Sequence, residues 1–147
     1  MLNQDFKDIL SAFLEERVDF MVVSGNALAF HGYVRATGDI DLWIRMSAEN
    51  AQRVWNALKR FGAPLFDLRI EDLTTAGMVF QMGLPPNRID VLNRIEGVEY
   101  DDALPGRTFV EIDSMQIPVI SRPDLLINKR TMNRPKDLGG IAWLQNN

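Results

Sequence analysis

The chain has 147 residues, 46% hydrophobic and 24% charged, with a formal net charge of −4. That is enough for one domain with its own core, and it lacks the global positive field that draws a protein to nucleic acid. It has no cysteine and one histidine, which excludes disulfides, thiolate nucleophiles, cysteine-held zinc and a multi-histidine metal site within one chain.

The stripe Phe6, Ile9, Leu10, Phe13, Leu14 and Val18 repeats at helical spacing and predicts an amphipathic first helix. The same opening segment lacks the basic start and long apolar core of a secretory signal. Nowhere does the chain reach the roughly 18 apolar residues of a membrane span. A cytoplasmic protein with no membrane partner is expected.

Phe20 to Val23 reads as a short buried strand ended by Gly25, and NALAFHG as a short helix stopped at Gly32. A loop, YVRATG, leads into a strand, DIDLWIRM. Ser47 then caps a helix carrying Ala51, Val54, Trp55, Leu58 and Phe61 and closed by Gly62. FDLRIEDLTTAG fits a strand fragment or a helical turn equally well. MVFQMG and RIDVLNRI read as strands separated by the turn LPPN, and EGVEYDDALPG as an acidic connection with room for a short helix. RTFVEIDSMQIPVI predicts a hairpin turning near Asp113 and Ser114. Ser121 and Pro123 open a helix, and a last helix or helical turn contains the weakening pair Gly139–Gly140. The whole pattern predicts an α+β (mixed α/β) fold, a small mixed sheet flanked by helices, in a single domain over residues 1–147.

Asp39 and Asp41 are the chemically unusual residues. Side chains two apart on a strand share a face, so two carboxylates are set side by side, where they repel each other and resist burial. A hard divalent cation, magnesium or manganese, compensates such a pair through oxygen ligands. Asp90 sits between Ile89 and Val91 in an apolar strand and is the candidate third carboxylate. If its strand lies beside the first, the three converge on a site suited to in-line phosphoryl or nucleotidyl transfer. Ser24 and Gly25, where a strand turns into a short helix, offer backbone N–H groups and a hydroxyl to a phosphate. The plainer alternatives are that Asp39 and Asp41 pair with Arg35 and Arg45, that Asp90 pairs with Arg88 or Arg94, and that His31 only closes its short helix.

Taken together, Ser24–Gly25, Asp39-Ile40-Asp41 and a later strand aspartate resemble the nucleotidyltransferase superfamily of DNA polymerase beta. The string GNALAFHGYVRATGDIDLWI is similar, more closely, to small bacterial nucleotidyltransferase-like proteins of the abortive-infection and toxin–antitoxin group. Gly25, Ala27, His31, Gly32, Arg35, Thr37, Asp39 and Asp41 fall on that group's motif, and Lys129, Arg134, Lys136 and Asp137 fall on its tail string. Ser24 departs from it, standing where the first glycine of a pair is usual.

The resemblance implies an NTP, with ATP the expected one, bound with magnesium or manganese, and transfer of a nucleoside monophosphate to an acceptor hydroxyl on RNA, protein or a small molecule. Asp39, Asp41 and Asp90 would be the metal ligands and catalytic carboxylates, with Asp90 a ligand or the base. Ser24, Gly25, Arg35, Thr37, Lys129 and Lys136 would contact the nucleotide. A cognate protein partner or a homodimer is compatible with this reading. The alternative within the same resemblance is a degenerate nucleotidyltransferase that binds nucleotide or a partner protein without catalysis.

Overall fold

A computed structural model describes residues 2–33 and 38–147, so Arg35 and Thr37 lie outside the described residues. In chain order the elements are α1 (Gln4–Glu15), β1 (Phe20–Val23), α2 (Ser24–Phe30), β2 (Ile40–Ile44), α3 (Ala48–Phe61), β3 (Val79–Met82) and β4 (Ile89–Leu92). They continue with α4 (Tyr100–Ala103), β5 (Thr108–Ile112), β6 (Met115–Val119), α5 (Arg122–Met132) and α6 (Leu138–Asn146). Short 3-10 turns cover Ile70–Thr74, Leu104–Gly106 and Pro135–Asp137, the first of them resolving the segment that sequence left open.

The six strands form one mixed sheet in the order β3-β4-β2-β1-β6-β5. β1 runs antiparallel to β2 and parallel to β6, while β2 and β4 are parallel. The architecture is therefore α+β, as the alternation of elements predicts.

Local sequence explains the boundaries. Asn3 caps α1 by accepting from the Phe6 N–H at 2.8 Å. The helix stops before Val18 because Arg17 takes a left-handed φ of 58°; Val18 stays in the core without being helical. Ser47 accepts from Asn50 N–H to start α3, and Gly62 ends it at φ 89°, a conformation glycine adopts without a Cβ clash. Asp113 and Ser114 both have positive φ, 49° and 68°, the pattern of a tight two-residue hairpin turn. Ser121 caps α5, and α6 runs straight through Gly139–Gly140 as a helix.

All four residues of β1 are buried, so both faces of the central sheet are covered. α2 packs on β1 and β2 and meets α5, which in turn packs on α6; α1 and α3 pack together as a separate helical pair. Ile40, Leu42 and Ile44 are fully buried and anchor β2 in the core. The central strands are thereby held rigidly, and the carboxylates they carry inherit that rigidity.

Candidate functional site

The pairing of β2 with β4 places Asp41 directly opposite Asp90. The β1–β2 pairing places Asp41 opposite Val23, the residue before Ser24. Asp39, one residue before β2, is held from two sides. Its backbone carbonyl accepts from the buried Asn26 amide at 2.8 Å, and its carboxylate accepts from the Arg88 backbone N–H at 3.0 Å. Nearby, the Ile40 N–H donates to the Arg88 carbonyl at 3.0 Å, and a Cβ added at Gly38 would come within 3.1 Å of Pro86. The entry to β2 is thus clamped against the residues leading into β4.

Asp39, Asp41 and Asp90 line one cleft of about 430 Å³, together with Ser24, Gly25, Lys129 and Lys136. Seven of the nine candidate site residues named from sequence therefore meet in one place, and the other two are Arg35 and Thr37, outside the described residues. The volume falls in the ordinary range for small-ligand sites.

The site is electrostatically crowded. Burial pushes the Asp41 carboxyl up to about 6, the Ser24 hydroxyl hydrogen bond opposes that rise, and the charges of Asp90 and Asp39 add to it. Ser24 itself has φ 62°. A left-handed residue there is what a glycine would supply cheaply, and the serine accepts the strain while its hydroxyl reaches Asp41.

The cationic wall comes from α5 and the turn after it. Lys129, buried, sits 3.4 Å from Asp137, and Arg134 donates to the two Asp137 oxygens through Nε at 2.7 Å and Nη2 at 3.0 Å. Burial works against the Asp137 charge, yet the hydrogen bonds and charge of Arg134, then the charge of Lys129, hold its carboxyl down at about 2. Gly140 makes room for this group: a Cβ there would lie 2.7 Å from Leu28 and 3.3 Å from the Lys129 chain.

Arg88 is the site residue that sequence reasoning treated only as a bland partner. Its guanidinium lies 2.8 and 3.1 Å from the two Asp90 oxygens and 3.3 Å from Asp39. The pairing of Asp90 with Arg88 is thus real and lies inside the cleft. The signal was available, since Arg88 and Asp90 stand two apart and share a face. Arg45 does not pair with the motif aspartates; it bonds Asp101 and Asp19. The His31 ring lies 2.7 Å from the Ile120 carbonyl, tying the end of α2 to the end of β6, a structural contact. Among the described residues, no group of three or more acidic or histidine side chains stands ready-assembled around a metal position, and Arg88 is what engages two of the three carboxylates.

No family model matches the chain, and no curated protein matches it. Among solved structures it is similar to a protein of Thermotoga maritima described as a "putative nucleotidyltransferase", at 16% identity and a TM-score of 0.63, over 97% of this chain and 91% of that one. The fold is nucleotidyltransferase-like. Among the described residues, no helix is long and apolar enough to cross a membrane.

Proposed function

We propose that this chain moves a nucleoside monophosphate from an NTP, ATP being the expected donor, to an acceptor hydroxyl with magnesium or manganese. The observation that carries the reading is one cleft in which Asp39, Asp41 and Asp90 sit with Lys129, Arg134 and Lys136 beside the Ser24–Gly25 turn. The donor set is all oxygen, and burial, then the neighbouring charges of Asp90 and Asp39, raise Asp41; both fit a hard cation, whose charge favours the ionised carboxylates. Asp39 and Asp41 would hold it, with Asp90 as a third ligand or the base. Bound there, the ion would neutralise charge developing on the phosphoryl oxygens.

The chain's own residues account for the rest. The Ser24–Gly25 backbone, Lys129 and Lys136 receive the phosphate tail, and Arg35 and Thr37 are proposed as further nucleotide contacts. The acceptor oxygen attacks the α-phosphorus in line, the bond to the bridging oxygen of the β-phosphate breaks, and pyrophosphate leaves. The acceptor's proton passes to a carboxylate, for which Asp90 is the candidate where Asp39 and Asp41 alone hold the ion.

The test is incubation with each α-labelled NTP, magnesium and a cell extract. A labelled macromolecule, lost with Asp41→Asn, is the expected result. No labelled product from any NTP, together with no rise in melting temperature from metal or nucleotide, refutes the reading. A second reading, a module that binds nucleotide without transferring it, is favoured by the hold of Arg88 on Asp39 and Asp90. Retention of labelled NTP on the protein with no product would select it.

A further inference from the structure

We infer that Arg88 is a built-in counter-cation that a divalent metal must displace, so that it sets the metal affinity of the cleft. The inference rests on the proposed assignment of Asp39, Asp41 and Asp90 as metal ligands. Its own evidence is geometric. One guanidinium grips both Asp90 oxygens, at 2.8 and 3.1 Å, and reaches Asp39 at 3.3 Å. Two of the three carboxylates are therefore committed to a single positive charge, while Asp41 faces Asp90 across the strand pair.

Arginine does not deprotonate in a protein, so this charge leaves the carboxylates only by moving. It is free to move. The Arg88 side chain is 28% exposed, against 11% for Asp90, and its long stem can swing toward solvent without disturbing the core. The backbone does not depend on the guanidinium: the Arg88 N–H still bonds Asp39, and its carbonyl still accepts from Ile40. Metal entry is then an exchange of one cation for another at fixed carboxylates. A site closed in about nine molecules in ten shows an apparent affinity about tenfold below its intrinsic value.

The experiment titrates manganese alone into the intact protein, by calorimetry and by melting temperature. Arg88→Met should tighten manganese binding about tenfold, since that is the closed-site factor removed. Arg88→Lys keeps the charge but loses the two-carboxylate grip, and should fall between the two. Lys136→Met removes a cation from the same cleft without touching those contacts, and should change affinity less than about threefold, a through-space effect in screened solvent. In chelator Arg88→Met should melt below the wild type, and saturating manganese should close that gap. Unchanged or weaker manganese binding by Arg88→Met, or equal effects of Arg88→Met and Lys136→Met, overturns the inference and leaves the metal site standing. If the wild type shows no manganese binding that Asp41→Asn abolishes, the assignment of the carboxylates fails first and the inference with it.

Discussion

Replacing Asp41 with asparagine should stabilise the metal-free protein, and the gain should depend on pH in a defined way. Burial, then the neighbouring charges of Asp90 and Asp39, raise the carboxyl from 3.8 to about 6, against the opposing Ser24 hydrogen bond. Below the unfolded value both states hold the proton, and the group has no effect on stability. Between about 4 and 6 the unfolded chain releases its proton while the folded chain keeps it, so stability falls as pH rises. Above that window the loss is complete. A rise from 3.8 to about 6 corresponds to roughly 3 kcal/mol. Asp41→Asn removes this loss. Urea unfolding in chelator should therefore give equal stabilities at pH 3.5 and a variant more stable by up to about 3 kcal/mol at pH 7.5, or about 6–12 °C in melting temperature for a chain of this size. A difference that is the same at both pH values would refute the electrostatic account of the cleft. So would a variant less stable at neutral pH.

Asp137→Asn should act in the opposite sense, because this carboxylate is satisfied. Its pKa of about 2 means its contribution is present above 3.8 and lost as pH falls toward 2. Removing it takes from the buried Lys129 this partner and should cost about 3–5 kcal/mol at neutral pH, read by urea denaturation. Ser24→Gly relieves a left-handed serine, worth about 1 kcal/mol, but deletes the hydroxyl bond to Asp41. Stability should change by less than about 1 kcal/mol, while the Asp41 titration, followed by carboxyl NMR, moves upward. Gly140→Ala adds a methyl against Leu28 and Lys129. Overpacking of about 1–3 kcal/mol outweighs the helix gain of about 1, so a net loss of stability and weaker nucleotide binding are expected.

Much of this site can be read from sequence because its chemistry conflicts with its surroundings. Two aspartates in the run DIDLWI, and a third between Ile89 and Val91, break the apolar pattern that makes strands. Caps and turns were equally legible, because Ser47, Gly62, Asp113–Ser114 and Ser121 act through their immediate neighbours. The pairing was not. That β2 lies beside β4, in parallel and with Asp41 facing Asp90, follows from how α3, the turn at Ile70–Thr74 and β3 pack, which no local pattern encodes. The pairing of Arg88 with Asp90 is legible from their spacing, but its reach to Asp39 is not, because it exists only once those strands are adjacent. The contacts of Lys129, Arg134 and Asp137 are not local to one helix face either. The burial of Lys129 and Asp137 comes from α6 packing back on α5, through the close approach that Gly140 permits.

The parallel pairing of β2 and β4 also bears on the rate at which the protein folds. The two strands are separated in the chain by α3 and β3, so their contact closes one of the longer loops in the molecule. The encounter brings two negative charges together, Asp41 and Asp90, at the moment the loop closes. If that contact forms at the folding barrier, ionisation raises the barrier itself. Folding should then slow from pH 5 to pH 8 while unfolding changes little, a split that stopped-flow measurements of both limbs would resolve. A pH effect confined to the unfolding limb would place the meeting of the carboxylates after the barrier. The arrangement that gathers the site would then govern how quickly the chain arrives at it, as well as what it holds once there.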